Sequence, residues 1–312
     1  MIVLDLQNEN RQLHTEDLAC NRISAALGFF DGVHLGHAAL LRAACEEASA
    51  HGALPAVWTF PDSPFPGRGK QLTTLSEKLS LFAAHGIRYA FLYAFDEVRS
   101  LSPEQFVDEI LIGQCQVRSC VCGYNFRFGH GAVGTPELLD KLLAERACSL
   151  RLISEVCVDG QPVSATRIRS LLTTGDTLAA AKCLGRPYSV SLPVVHGKAL
   201  GRTIGIPTIN QNPTEKMQIP ADGIYASTVT IDGKAYPAVT NIGCRPSVTE
   251  DSHIPNIETH IIGYSGWLYD EQVTVSFRER LRDETRFSSL DALKAQINED
   301  IRASESSFST IQ

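Results

Sequence analysis

The chain has no CxxC pair, although it carries 9 cysteines, an odd number without disulfide-like spacing. That pattern excludes a disulfide-stapled scaffold and leaves buried, reduced thiols as the expectation, with a metal site far behind. Basic charge is also scarce. Lys and Arg number 28 against 35 Asp and Glu, a formal net charge of −7. A dedicated nucleic-acid binder would be basic. No apolar run reaches the roughly 18 residues of a membrane span. The N-terminal segment holds Asp5 and Glu9 and no basic stretch of the secretory kind, so the cytoplasm is the expected compartment. Long internal repeats and low-complexity tracts are missing as well. What remains is globular, 44% hydrophobic and 20% charged over 312 residues, enough for two cores.

Residues 28–37 read Gly-Phe-Phe-Asp-Gly-Val-His-Leu-Gly-His. The apolar run Ile23 to Phe30 reads as a strand, Asp31-Gly32 as a turn, and the segment from Ala38 as a helix with Leu40, Leu41, Ala44 and Ala48 on one face. His34 and His37 therefore fall where a strand hands over to a helix. Helix N-termini carry unpaired N–H groups and partial positive charge, which suits phosphate. Gly32 and Gly36 let backbone approach a ligand. Two imidazoles there can hydrogen-bond charge developing on an attacked phosphate. His-x-x-His alone also fits two surface imidazoles or a metal pair.

Strand and helix patterns go on alternating to about residue 185. Strands are expected at Leu54–Phe60, Arg88–Phe95, Val117–Gly123 and Leu150–Val158. Thr74-Leu-Ser-Glu77 is a capping box whose helix Gly86 closes, Ser102-Pro103-Glu104-Gln105 is a second start signal, and Thr135-Pro136 a third. Ser164 caps another helix, and Asp176 to Leu184 is a last one, closed by Gly185. Such alternation implies a parallel α/β sheet with ligands beyond its carboxyl strand ends. Two further stretches fall at such ends. Gly123-Tyr124-Asn125-Phe126-Arg127-Phe128-Gly129 can wall a pocket with aromatics, Asn125 being its polar contact. Ser164-Ala165-Thr166-Arg167-Ile168-Arg169 offers hydroxyls and guanidiniums at a helix start, a grip for a triphosphate. A glycine-rich loop with core aromatics and a capped helix with solvated arginines are the alternatives.

We place a domain boundary near Gly185-Arg186-Pro187. Beyond it short β-branched segments follow, at Tyr188–His196, Ile224–Ile231, Ala235–Asn241, Asn256–Tyr264 and Gln272–Phe277, with Asp232-Gly233 as a hairpin turn. This half is expected to be a mainly antiparallel β-barrel or sandwich. It ends in a helix from Ser289 with Leu290, Leu293, Ile297 and Ile301 as an apolar stripe. Residues 196–210 combine Lys198, Gly201, Arg202 and Gly205 with Thr208 and Asn210. The glycines and cations suit a phosphate loop other than a Walker A. The neutral oxygens of Thr208 and Asn210 suit Mg²⁺ already held by nucleotide phosphates. Glu258, in an otherwise apolar or β-branched strand, can accept a proton from a substrate hydroxyl, or it can simply face solvent.

These motifs together resemble two families. Residues 28–37 carry the HxGH signature of nucleotidyltransferases in the form found in bacterial FAD synthetases. Gly201-Arg-Thr-Ile-Gly205-Ile-Pro207-Thr-Ile-Asn210 looks like the PTAN motif of riboflavin kinases. Asn241 to Pro246, Ile257-Glu-Thr-His260, Leu268-Tyr269 and Arg282 to Phe287 follow that family in order. The chain so resembles the bifunctional riboflavin kinase/FAD synthetase of bacteria. The resemblance implies a Rossmann-like nucleotidyltransferase domain over 1–185 and a β-barrel kinase domain over 186–312. It implies ATP, riboflavin and FMN as partners, Mg²⁺ with ATP as cofactor, and no nucleic acid or membrane. Glu258 would be the kinase base, and Thr208 and Asn210 would hold Mg²⁺. His34 and His37 would stabilise the adenylyl-transfer transition state. Gly28, Phe30, Asp31, Gly36, Asn125, Ser164, Thr166, Arg169, Lys198, Gly201 and Gly205 would contact ATP or phosphate. The chain departs from the families' usual residues at Ala165 (Ser), Ile209 (Ala), Ile206 (Phe), Ser63 (His) and Thr135 (Asp). A monomer or weak self-association is expected.

Overall fold

A computed structural model describes residues 1–5, 22–64, 67, 69–197, 201, 205–244 and 255–309. Lys198, Arg202 and the Arg245-Pro246 end of one kinase motif lie outside the described residues. The chain forms two compact units, Met1–Arg68 with Thr73–Ser164, and Gly69–Leu72 with Ala165–Gln312.

The first unit is an all-parallel sheet. Its strands are β1 (Ile2–Asp5), β2 (Ile23–Leu27), β3 (Leu54–Thr59), β4 (Tyr89–Leu92), β5 (Val117–Gly123) and β6 (Ser149–Ile153), in the spatial order β1-β4-β3-β2-β5-β6. Every residue of β2 is buried, as a central strand covered on both faces requires. The pleat sends alternate side chains to opposite cores. Ile23, Ala25 and Leu27 join Phe106, Leu111, Leu139 and Leu143, whereas Ala26 joins Leu40, Leu41 and Phe82. Helices α1 (Leu35–His51) and α2 (Leu75–Ala84) therefore cover one face. The helical run from α3 (Pro103–Gln105) through π-type turns at Phe106–Gln114, and α4 (Pro136–Ala144), cover the other. The capping boxes at Thr74 and Ser102 and the Thr135 cap form as expected. Cys120 and Cys122 share the first core, and the described cysteines are free thiols.

Several boundaries differ from expectation. β2 ends at Leu27, and the backbone then takes left-handed values at Phe30 (φ 59°) and Val33 (φ 40°). The helix consequently begins at Leu35, with His34 as its N-cap. β4 stops at Leu92, and Phe95–Val98 winds into a helical turn that the apolar run conceals. The expected strand Leu150–Val158 divides into β6 and a small hairpin, β7 (Cys157–Val158) with β8 (Gln161–Pro162). Asp159 (φ 53°) and Gly160 (φ 72°) turn that hairpin. β1 is an added edge strand beside β4.

The second unit opens with α5 (Ala165–Thr173) and α6 (Thr177–Leu184), the latter capped by Asp176 and closed by Gly185 in the left-handed region. An antiparallel sheet follows: β9 (Tyr188–Pro193), β10 (Ile209–Gln211), β11 (Gly223–Ile231), β12 (Lys234–Cys244), β13 (Pro255–Ile261) and β14 (Gln272–Arg282), ordered β10-β13-β12-β11-β14-β9. A single bridge from Val195 to Asn210 joins the two ends of that order, curling the sheet towards a barrel. Asp232 (φ 49°) and Gly233 (φ 75°) make the expected β11–β12 turn. The terminal helix α7 (Leu290–Ser309) turns Leu293, Ile297 and Ile301 partly inward, but Leu290 is 68% exposed. Its buried positions are instead Asp300 and Ser304. They bond to Arg282 (2.7 and 3.0 Å) and to the Ala238 carbonyl (2.7 Å).

Candidate active sites

In the first unit the neighbours of β2 are β3 and β5, and the chain moves outward from it in both directions. β2 thus borders the topological switch point, where sheets of this kind bind ligands. The loop leaving it is cross-tied. The Gly28 N–H donates to the Trp58 carbonyl (3.2 Å), the Gly32 N–H to Thr73 Oγ1 (3.1 Å), and the Thr73 N–H to Asp31 Oδ1 (3.4 Å). Phe30 is wholly buried, its ring against His37 (5.2 Å) and Phe82 (5.3 Å). Its side chain is a wedge that shapes the loop, leaving only its backbone for a ligand.

That wedge brings the histidines together. Their rings stack at 3.7 Å and 17°. His34 Nδ1 accepts from the His37 N–H at 3.4 Å, capping the helix. A Cβ on Gly36 would approach the His34 ring to 3.1 Å, so glycine there leaves the imidazole undisturbed. His34 is buried and His37 half-buried, with Nδ1 of His37 enclosed and unpartnered. Burial holds the His37 pKa well below the usual imidazole range, and His34 and Lys78 lower it further. A neutral imidazole at a helix N-terminus can donate one hydrogen bond to a phosphate without a competing charged form.

Lys78 was not singled out from the sequence. It lies in α2, is 2% exposed, and donates to the carbonyls of Phe29 (3.1 Å) and Phe60 (2.7 Å). No residue pattern separates it from a solvated helix lysine. Thr73, which receives the Gly32 N–H, was missed too. In the loop after β5, Asn125 is exposed, Tyr124 is 47% exposed and bonded to Glu155, and Phe128 is buried in the core. The aromatics therefore do not form one wall. Ser164 ends the first unit, while Thr166 and Arg169 belong to the second. There Arg169 Nε donates to the Lys70 carbonyl at 2.6 Å.

In the barrel, strand register assembles the candidate site. Glu258 on β13 lies directly between Asn210 on β10 and Asn241 on β12. Cross-strand partners share a face, so the three side chains form one row. Asn256, two residues away on the same face, donates from Nδ2 to Glu258 Oε1 at 2.7 Å and so orients the carboxylate. His260 Nδ1 bonds the Pro207 carbonyl at 2.8 Å, tying the segment before Thr208 to the same strand. Gly197 packs so closely on Asn210 that a Cβ would fall 2.4 Å from its amide. Thr208 is half-buried and Asn210 buried. Gly205 sits at φ 78°, a turn that glycine permits. Ile206 donates its N–H back to the Gly201 carbonyl (2.8 Å). Asn241 and Asn256 each leave a buried amide oxygen unpartnered. Among the described residues no group of three or more His, Cys, Asp or Glu could cage a metal. The neutral oxygens fit Mg²⁺ that brings phosphate oxygens with it better than a bare ion. The sequence singles out Glu258 and Asn210, whereas Asn241 and Asn256 come beside them only through strand register.

Two family models match the chain, FAD synthetase over residues 18–167 and riboflavin kinase over 184–308. Curated relatives named bifunctional riboflavin kinase/FMN adenylyltransferase align over nearly the whole length. The one from Pseudomonas fluorescens is 36% identical over 284 residues, covering 89% of this chain and 91% of its own. That from Bacillus subtilis is 32% identical, covering 92% and 93%. Escherichia coli K12 has one at 36%, covering 88% and 89%. A solved structure described as a macrolide-efflux protein from Streptococcus pneumoniae superposes with a TM-score of 0.85 at 29% identity, covering 98% of this chain and 99% of that one. Among the described residues no helix is long and apolar enough to cross a membrane.

Proposed function

This chain belongs to the bifunctional riboflavin kinase/FMN adenylyltransferase family, which uses ATP, and we propose that its two reactions run at two separate sites. The first makes FMN from riboflavin in the barrel. The second makes FAD from FMN in the α/β half. The activities divide near Gly185, a reading supported by family models that end at 167 and begin at 184.

At the kinase site Glu258 takes the proton of the riboflavin 5′-hydroxyl as its oxygen attacks the γ-phosphorus of ATP and ADP departs. Asn256 aims the carboxylate. Thr208 and Asn210 hold Mg²⁺ that enters with ATP, and the ion offsets phosphate charge when bound. Lys198, Gly201 and Gly205 supply the phosphate loop. At the transferase site an FMN phosphate oxygen attacks the α-phosphorus of a second ATP. The bond to pyrophosphate breaks, and no covalent enzyme intermediate forms. His34 and His37 hydrogen-bond the charge that develops on the α-phosphoryl oxygens. Gly28, Phe30 through its backbone, Asp31 and Gly36 shape the loop that receives the phosphates. Asn125 and Ser164 contact nucleotide or phosphates. The enzyme works in the cytoplasm, as a monomer or weakly self-associating species, without nucleic-acid or membrane partners.

One observation carries the two-site reading: the stacked His34–His37 pair and the Asn210–Glu258–Asn241 row are each built within a different compact unit. Purified protein given riboflavin, ATP and Mg²⁺ and followed by flavin chromatography should yield FMN first and FAD later. Flavin bound without conversion would refute the catalytic reading, and FMN alone would refute its second half.

A further inference from the structure

Lys78 is a cation where folding alone would not put one. Its side chain is 2% exposed, yet its hydrogen bonds end on two neutral backbone carbonyls, Phe29 (3.1 Å) and Phe60 (2.7 Å). Those carbonyls follow β2 and β3, adjacent parallel strands. Phe29 immediately precedes the left-handed turn that leads to His34. The ammonium also lies 4.5 Å from the centre of the Phe29 ring. Burying a charge on neutral acceptors is unfavourable, and a neutral side chain of the same length would cost less. Burial lowers its pKa to about 8, with Asp31 and Asp62 opposing that shift, so it still carries its proton at neutral pH. The titratable groups coupled to it electrostatically are Asp31 from the histidine loop, Asp62 from the segment after β3, and His37 from the first turn of α1. His34 in turn faces His37. A buried charge is weakly screened, so it acts on neighbours that a surface lysine would not affect.

We propose that Lys78 is a positioning residue for adenylyl transfer. Its ammonium ties the ends of β2 and β3 at the root of the histidine loop, and its charge adds to the burial that keeps His37 a neutral hydrogen-bond donor towards the nucleotide phosphates. The inference rests on the role assigned above to His37. Lys78 touches no substrate. It acts through the Phe29–Asp31 backbone and through the protonation state of His37. The kinase reaction does not depend on it.

The test uses the full chain, with FAD formation from FMN, ATP and Mg²⁺ followed across pH 5.5–9 and FMN formation from riboflavin as an internal control. Lys78→Gln keeps a donor for the carbonyls and removes the charge. We expect it to lower kcat for FAD formation about tenfold or more, short of the roughly 10²–10⁴-fold of a group that itself transfers the proton. We expect FMN formation to stay within about twofold, and the acid limb of the FAD profile to move to higher pH as His37 gains its proton more easily. Lys78→Arg should restore the wild-type acid limb. A Lys78→Gln enzyme with wild-type rate and profile overturns the inference. So does a lowered rate with an unmoved acid limb, which marks a merely structural lysine. If Lys78→Gln fails to melt cooperatively, the wild type against Lys78→Arg decides: an acid limb displaced in the arginine variant overturns the role of charge. His37→Ala separates the two levels. Unchanged FAD formation there removes the reading of His37 itself, whereas an inactive His37→Ala beside a wild-type Lys78→Gln removes only the inference.

Discussion

Glu258→Gln isolates one property of one atom. The amide is as large as the carboxylate and its oxygen still accepts from Asn256 Nδ2, so the 2.7 Å bond that orients the side chain survives. Neighbours Ile257 and Thr259, buried on the opposite face, keep their packing. Strand pairing to Asn210 and Asn241 is a backbone matter and stays. What disappears is the ability to take a proton. A positioned general base is worth about 10²–10⁴-fold, or about 2.7–5.5 kcal/mol in the barrier. FMN formation should fall by that factor in kcat, with KM for riboflavin nearly unchanged, because Asn210, Asn241 and Asn256 around the substituted side chain are untouched. FAD formation from supplied FMN serves as the control and should stay near wild type. Both are read by flavin chromatography from the same enzyme preparation. A kcat for FMN formation within about tenfold of wild type would refute Glu258 as the base. Equal loss of both activities would refute the separation of sites.

His37→Ala should reverse the pattern, lowering FAD formation about 10²-fold or more while FMN formation persists; chromatography with FMN as substrate checks it. Because burial depresses the His37 pKa, the unfolded chain protonates first as pH falls through about 6.5, and stability is lost below that value. Urea midpoints at pH 7.5 and 5.5 should therefore separate more in the wild type than in His37→Phe, and equal separations would contradict the burial argument. Asp300→Ala takes the buried carboxylate from Arg282 and with it the ion pair between the terminal helix and β14. It should cost about 3 kcal/mol in denaturant unfolding of the barrel, and a loss below about 1 kcal/mol would mean the pair is solvent-screened.

The architecture of the α/β half was legible because its signals were local. Capping boxes at Thr74 and Ser102 and the closing Gly185 each use hydrogen bonds within a few residues. Errors came where a long-range demand overrode local pattern. The apolar run Ile23–Phe30 looks continuous, but Phe30 leaves the strand to wedge its ring between His37 and Phe82. Apolar periodicity cannot distinguish a ring in a strand from a ring in a loop that serves the same core. Asp159-Gly160 carries the same turn signal as Asp232-Gly233, but reading Leu150–Val158 as one strand left it without a hairpin. The stripe on the last helix failed at Leu290, because the barrel accepts that helix through Asp300 and Ser304 rather than through apolar surface alone.

The sites divide along the same line. His34 and His37 are close in sequence, so their spacing on a helix start already fixed their nearness. Asn210, Glu258 and Asn241 are far apart in sequence, and only strand register makes them a row. Register depends on which strands pair, which no single segment encodes. Lys78 is a harder case, since its chemistry arises from being buried, and burial of a lysine has no signature in sequence. A charge accepted into the core at the root of the histidine loop is a feature that optimisation of stability alone would remove. Its presence is therefore more informative about the reaction than any of the apolar contacts around it.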